Sequence, residues 1–200
     1  LSCTAIRPEI QGVPASLFMA VTLTLFRSSL VFGLDPAALL RKLNQHLSAD
    51  NESCLFVTMF CGKLHVPSGE ITYSNGGHNP PYVLRCDGSL EPLPRVGGPA
   101  LGLSDAATYR LGRLTLQPQD TLVLYTDGVT EAMSPDEEFF LESRLEACVR
   151  TAPGDTARLL VERVSRAVEE FTAGAPPADD ITLVALRYCG SPDGSREDAS

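Results

Sequence analysis

The sequence predicts an α+β fold in which helices and strands form separate blocks. Residues 13–48 carry apolar side chains at helical spacing, whereas residues 54–126 divide into short β-branched and aromatic runs separated by turn signals. Two further helical stretches and a final apolar run follow. Segregated blocks of this kind indicate a layered α+β architecture rather than alternating βαβ units.

The first block is predicted to contain two helices. Residues 13–32 are mostly apolar and Pro14 suits a first helical turn, so we expect a buried helix there. Asp35–Pro36 then predicts the start of a second helix over residues 36–48, because aspartate accepts hydrogen bonds from free N–H groups and proline fits the first helical position. Leucines at helical spacing give this second helix one apolar face.

The middle of the chain is predicted to form a meander of about six strands, followed by two helices and a closing strand. The runs that favour strands are residues 54–64, 70–74, 82–85, 109–116, 121–126 and 181–188. The predicted helices cover residues 137–150 and 156–172. Residues 91–104 contain three prolines and three glycines, which predicts an irregular connection.

Composition limits the class of protein. The chain has 200 residues, 44% of them hydrophobic, which is enough for the core of one domain. Its net charge of -9 argues against binding to nucleic acid or to an anionic membrane, and no apolar run is long enough to insert into a bilayer. The six cysteines include no CxxC pair and lack zinc-site spacing. Their even number leaves disulfides open, but we predict a reduced, cytoplasmic protein.

Two acidic motifs adjoin predicted strands. Asp127 and Gly128 follow the run 121–126, and Asp179 and Asp180 precede the final strand. Carboxylates brought together at one edge of a sheet would repel each other unless a hard cation lay between them, and Mg²⁺ or Mn²⁺ is the expected occupant. The alternative is that each aspartate only stabilises a turn, and spacing alone leaves both interpretations open.

Six segments, in the same order, resemble motifs of the SpoIIE/RsbU branch of the PP2C-like (PPM) serine phosphatases. The segments are GVPASLFMA at 12–20, the strand–turn–strand and NGGHNPP loop within 56–88, GGPALGL at 97–103, YTDGVTEA at 125–132, DEEFFLESRL at 136–145 and DDITLVAL at 179–186. Together they assign residues 12–189 to one phosphatase domain. Residues 1–11 then form an atypical or damaged N-terminal segment, and residues 190–200 a disordered polar tail.

The resemblance implies a PP2C-like α-β-β-α layered β-sandwich with flanking helices, here without its first strands. It also implies a two-metal Mn²⁺ or Mg²⁺ site that hydrolyses phosphoserine or phosphothreonine with a metal-bridged water. By position, Asp127 and Asp179 are the metal ligands. Asp180 and Gly128 either support these ligands without contacting the metal or belong to the turns of the two motifs. His78 either reaches the phosphate or a metal, or holds its own loop by hydrogen bonds.

The N-terminal motif departs from the family pattern. Counting back from Gly12, the family's bridging aspartate would fall at position 7, where this chain has Arg7. The family's usual glycine and lysine would fall at positions 10 and 11, where this chain has Ile10 and Gln11. Cations repel a guanidinium group, so Arg7 cannot replace that ligand. The resemblance predicts a phosphatase acting on a phosphorylated signalling protein, of the anti-sigma-factor-antagonist type. The alternative is a catalytically impaired relative or fragment that acts as a protein-binding module.

Overall fold

The computed structural model describes residues 2–8, 13–49, 51–151, 154–175 and 180–190, with only the backbone of residues 2–8 and 13–15. The predicted ligand Asp179 and the predicted tail beyond residue 190 lie outside these residues. The chain divides into two compact units. Unit 1 is Leu1–His65, Glu70–His78 and Pro94–Thr115, and unit 2 is Val66–Gly69, Asn79–Leu93 and Leu116–Ser200.

Nine strands and five helices are formed by the described residues. In chain order they are β1 (Ser2–Pro8), α1 (Val13–Leu30), α2 (Pro36–Ser48), β2 (Val57–His65), β3 (Glu70–Gly76), β4 (Tyr82–Leu84), β5 (Leu90–Pro92), β6 (Gly97–Gly98), β7 (Gly112–Thr115), β8 (Thr121–Tyr125), α3 (Asp127–Thr130), α4 (Leu141–Arg150), α5 (Ala157–Thr172) and β9 (Leu183–Arg187).

Unit 1 contains a five-stranded sheet in the order β1-β2-β3-β6, with β7 also paired to β3. All pairs are antiparallel except the short parallel contact between β3 and β6. Arg7 of β1 lies opposite Thr58 of β2, and the next residue, Met59, lies opposite Gly76 of β3. The end of β1, the start of β2 and the end of β3 therefore meet at one end of the sheet.

The second helix is anchored as the sequence predicts. Oδ1 of Asp35 accepts a hydrogen bond of 2.8 Å from the backbone N–H of Ala38, which satisfies one of the free donors of the first turn. The four leucines of the predicted apolar face are all buried in the core of unit 1, and they are Leu39, Leu40, Leu43 and Leu47. Helix α2 is thus held by a cap at its start and by one apolar face along its length.

The prediction that the first helix is buried is wrong. In α1, Leu17 is 63% exposed and Val21 is 51% exposed. The buried side of the helix includes Thr22, whose hydroxyl group donates to the backbone oxygen of Phe18 at 2.8 Å. The apolar side chains of α1 are distributed around the whole helix, but the core of unit 1 covers only one of its sides. The apolar content of residues 13–32 therefore predicts more burial of this helix than the structure shows.

Unit 2 contains a four-stranded antiparallel sheet in the order β5-β4-β8-β9. Every residue of the central strand β8 is buried. The amphipathic helix α5 contributes Leu160, Val164 and Val168 to the same core. Its first turn is capped by Thr156, whose side chain accepts a hydrogen bond from the N–H of Leu159. The sheet and this helix give β8 a rigid setting at its C-terminal end.

Several elements differ from the sequence prediction. Residues 2–8 form a strand where none was expected, and the connection 91–104, expected to be irregular, contributes β6. Helix α4 begins at Leu141 instead of residue 137. In the described part of the chain, no helix is both long enough and apolar enough to cross a membrane.

Candidate functional site

Asp127 is separated from the end of the buried strand β8 by Thr126 alone, and it is the first residue of the single-turn helix α3. Its Oδ1 atom is buried. Its backbone oxygen accepts hydrogen bonds from the N–H of Glu131 at 2.7 Å and from the hydroxyl group of Thr130 at 3.2 Å. The carboxylate is therefore held on a closed turn at the end of a rigid strand, the placement that the sequence motif predicts.

Thr126 links this turn to the segment that precedes β9. Its Oγ1 donates to the backbone oxygen of Asp180 at 3.0 Å and accepts from the N–H of Thr182 at 2.9 Å. A backbone bond of 3.0 Å from the N–H of Thr126 to the oxygen of Thr182 completes the connection. We call these three bonds the Thr126 clamp. They bring together the two chain segments that carry the predicted acidic motifs.

Gly128 lies against the same segment. A Cβ atom at this position would overlap the backbone oxygen of Asp180, so no larger residue fits while the two segments stay this close. The sequence analysis placed Gly128 in the turn or behind the ligands. In the structure it allows the backbone of Asp180 to approach the turn that carries Asp127.

The donor atoms present fit part of a divalent-metal site. Asp127 supplies a buried carboxylate oxygen of the kind that Mg²⁺ and Mn²⁺ accept, and the Thr126 clamp holds the segment containing Asp180 beside it. Among the described residues, no three His, Cys, Asp or Glu side chains are grouped closely enough to hold one ion. The second predicted ligand, Asp179, lies outside those residues.

His78 belongs to unit 1 and its side chain is buried. Its Nδ1 lies 3.1 Å from Oγ1 of Thr58. Its backbone N–H donates to Oδ1 of Asn75 at 2.7 Å, and its backbone oxygen accepts from Nδ2 of Asn75 at 2.9 Å. These contacts are those expected of the structural role that the sequence analysis considered for His78, since they close the loop after β3.

Thr126 and Asn75 were not identified from the sequence. Each is a small polar residue beside a motif that was recognised, within TDG for Thr126 and within NGGHN for Asn75. Their roles depend on hydrogen bonds to backbone atoms, and for Thr126 those atoms are more than 50 positions away. A polar residue at the exact end of a buried strand is the only local signal for such a role.

The comparison with known families is decisive. The family model described as "Stage II sporulation protein E (SpoIIE)" matches residues 11–188. The chain belongs to the SpoIIE family. That family was the one predicted from the six motifs, so the prediction is confirmed.

Curated relatives of this SpoIIE-family chain include phosphatases. It is 28% identical over 182 residues to "Phosphoserine phosphatase RsbU" of Bacillus subtilis, covering 88% of this chain and 52% of RsbU. It is 31% identical over 147 residues to "Protein IcfG" of Synechocystis sp., covering 73% of this chain and 23% of IcfG. The chain thus spans about half, or less, of the length of these relatives.

Solved structures confirm the predicted fold class. The SiaA-PP2C domain of Pseudomonas aeruginosa matches 94% of this SpoIIE-family chain and 75% of its own chain, with a TM-score of 0.81 and 18% identity. The RsbU and RsbW domains of Rv1364c from Mycobacterium tuberculosis match 96% of this chain and 52% of their own, with a TM-score of 0.77 and 23% identity. The chain therefore has a PP2C-like α+β fold.

Proposed function

We propose that this chain is a metal-dependent protein serine/threonine phosphatase domain that removes phosphate from a phosphorylated signalling protein. The observation that carries the proposal is the position of Asp127. This residue lies just beyond the end of the rigid strand β8 and has a buried carboxylate oxygen, and the Thr126 clamp holds the segment containing Asp180 beside it. Membership of the SpoIIE family and similarity to the phosphoserine phosphatase RsbU support it.

In this proposal Asp127 and Asp179 hold one divalent cation, Mn²⁺ or Mg²⁺, between them. Such a cation lowers the pKa of a bound water and screens the phosphoryl oxygens. The work of the chain is then to orient the carboxylates. The Thr126 clamp fixes the backbone on both sides, and Gly128 leaves the space that this approach requires. We expect the substrate to resemble a phosphorylated anti-sigma-factor antagonist and the domain to act in the cytoplasm.

The test is hydrolysis of a phosphoserine peptide by the purified chain, with Mn²⁺ and with EDTA. Turnover should require Mn²⁺, and Asp127→Asn should lower it at least about 100-fold, because even residues behind metal ligands contribute 10–100-fold. Asp136→Asn is the matched control, since Asp136 is an exposed aspartate of the same unit. Full activity of Asp127→Asn would contradict its role as a ligand.

A second function is favoured by one specific observation. Counting back from Gly12 places Arg7 where the family pattern has its bridging aspartate, and a guanidinium group cannot replace a carboxylate ligand. If the purified chain hydrolyses no phosphoserine peptide with Mn²⁺ present, the phosphatase proposal is wrong. The better description is then a catalytically impaired relative that binds a partner protein.

A further inference from the structure

A cavity lies within unit 1 and is lined by residues of that unit alone. Its volume is about 260 Å³ and it is open to solvent. It lies beside the closed loop after β3, at the end of the sheet where β1 ends and β2 begins. The lining residues that matter here are Asn75, His78, Arg95, Gly97, Gly98 and Arg110.

The charge of this cavity is positive although the chain as a whole is acidic. Arg95 and Arg110 line it, and no aspartate or glutamate is among its described lining residues. Neither guanidinium group lies within 4.0 Å of a carboxylate in the part of the chain that the structure describes. Arg85 and Arg144, by contrast, do pair with carboxylates. Two cationic groups thus face one opening without a described counter-charge.

The wall of the cavity is held in a fixed shape. The side chain of Asn75 closes the loop by bonding to both the N–H and the backbone oxygen of His78. On the other side, Gly97 has a φ of 157° and pairs with Asn75 across the parallel contact of β3 and β6. A Cβ atom on Gly97 would overlap the backbone of Asn75. This close packing of backbone on backbone fixes the position of the cavity wall.

We propose that this cavity binds a phosphate group, either as inorganic phosphate or as a phosphomonoester. A guanidinium group presents a planar fork of N–H donors that matches two oxygens of a phosphate, and charge-assisted bonds of this kind are among the strongest hydrogen bonds in proteins. Both arginine side chains are exposed, so they can turn toward a ligand at little desolvation cost. The site requires unit 1 alone and does not depend on metal binding by Asp127.

The test is titration of the ¹⁵N-labelled chain with sodium phosphate in EDTA, at constant ionic strength maintained with chloride. The amides of Gly97 and Gly98 should shift in a saturable manner. Arg95→Gln and Arg110→Gln should each weaken phosphate binding about tenfold or more, as expected for loss of a hydrogen bond to a charged group. Arg113→Gln is the matched control, because Arg113 is exposed in β7 of the same unit but does not line the cavity.

Lack of saturable shifts would overturn the proposal. An equal loss of binding in Arg113→Gln would also overturn it, because the attraction would then be one of general charge. Both arginine variants change exposed side chains, and their amide spectra report directly on whether the fold is retained.

A phosphoserine peptide and its unphosphorylated form distinguish the two sources of phosphate. Displacement of inorganic phosphate by the phosphopeptide supports a site for the monoester, whereas binding of inorganic phosphate without displacement supports a site for the free anion. Equal binding of both peptides at the Gly97 and Gly98 amides would contradict recognition of phosphate. Because EDTA prevents metal-dependent turnover, the phosphate-binding experiment can succeed even if the hydrolysis assay fails. Hydrolysis with Mn²⁺ can likewise succeed even if this cavity binds no phosphate.

Discussion

Tyr109 is a buried residue of unit 1 whose hydroxyl group has no hydrogen-bond partner among the described residues. Burial raises the pKa of Tyr109 from 10.0 to about 12. The folded chain therefore retains this proton between pH 10 and pH 12, where the unfolded chain loses it. The contribution of Tyr109 to stability is complete below pH 10 and disappears as the pH rises through 12.

We predict that Tyr109→Phe leaves the free energy of unfolding at pH 7 unchanged or increases it, by up to about 1–3 kcal/mol, because the variant removes an unsatisfied buried hydroxyl group. Above pH 10 its stability should decline less than that of the wild type. Urea denaturation at pH 7 and at pH 10.5 measures both effects. A loss of more than about 1 kcal/mol at pH 7 would show that the hydroxyl group does have a bonding partner.

Tyr82→Phe is the matched control for Tyr109→Phe. Tyr82 is also buried, but its hydroxyl group donates to Oε1 of Glu146 at 2.9 Å. Burial and this hydrogen bond raise the pKa of Tyr82 as well. Removing the hydroxyl group here should lower the free energy of unfolding at pH 7 by about 1 kcal/mol. Tyr82→Phe should thus lower the free energy of unfolding at pH 7, whereas Tyr109→Phe should not.

The Thr126 clamp joins the end of β8 to the segment before β9. In the variant Thr126→Val, valine has nearly the same shape as threonine but can make neither of the two hydrogen bonds of the hydroxyl group. We predict that it lowers the free energy of unfolding by about 1–3 kcal/mol, because the N–H of Thr182 loses its partner. Under the proposed function it should also weaken Mn²⁺ binding by about 10–100-fold. Urea denaturation and Mn²⁺ titration measure the two effects.

Thr151→Val provides the control for the Thr126 clamp. The hydroxyl group of Thr151 also donates to a backbone oxygen, that of Cys148, but the residue is exposed. Its replacement should change stability by no more than about 0.5 kcal/mol. If both valine variants lose the same stability, or if Thr126→Val loses none, the clamp does not hold the two segments together.

Elements with a strong local pattern could be predicted from the sequence, and those that depend on distant partners could not. The cap at Asp35 and the apolar run of β8 carry their own signals, and both are found where expected. In strand β1 polar and apolar residues alternate only over Ser2–Ala5, which is too short a signal to predict a strand, and β1 is identified by its pairing with β2. The two-residue strand β6 likewise exists only through its contact with β3.

The order of the motifs identified the fold and the family, but not the contacts that build the candidate site. The positions of Asp127 and Gly128 followed from a single motif. Their closeness to the segment of Asp180 is a tertiary feature, as is the joining of Arg95 and Arg110 in one cavity. These arginines are 15 positions apart in a stretch of irregular sequence, so no periodicity links them.

The activity of the whole domain can be tested at its most divergent motif. We predict that the triple variant Arg7→Asp, Ile10→Gly and Gln11→Lys raises Mn²⁺-dependent hydrolysis of a phosphoserine peptide at least about tenfold, because it restores the carboxylate and the glycine and lysine of the family pattern. The same triple variant with Asp127→Asn should lose this gain, because Asp127 is itself a proposed metal ligand.

Metal binding and turnover by the triple variant separate the two proposed functions. A gain that requires both Asp127 and Mn²⁺ would show that the scaffold is competent and that the residues at positions 7, 10 and 11 limit catalysis. If the triple variant neither binds Mn²⁺ nor hydrolyses the peptide, the scaffold itself is incompetent, and this outcome favours the alternative of a binding module or fragment. Because Arg7 lies opposite Thr58 within β1–β2 pairing, the amide of Thr58 reports whether the substitutions preserve that strand.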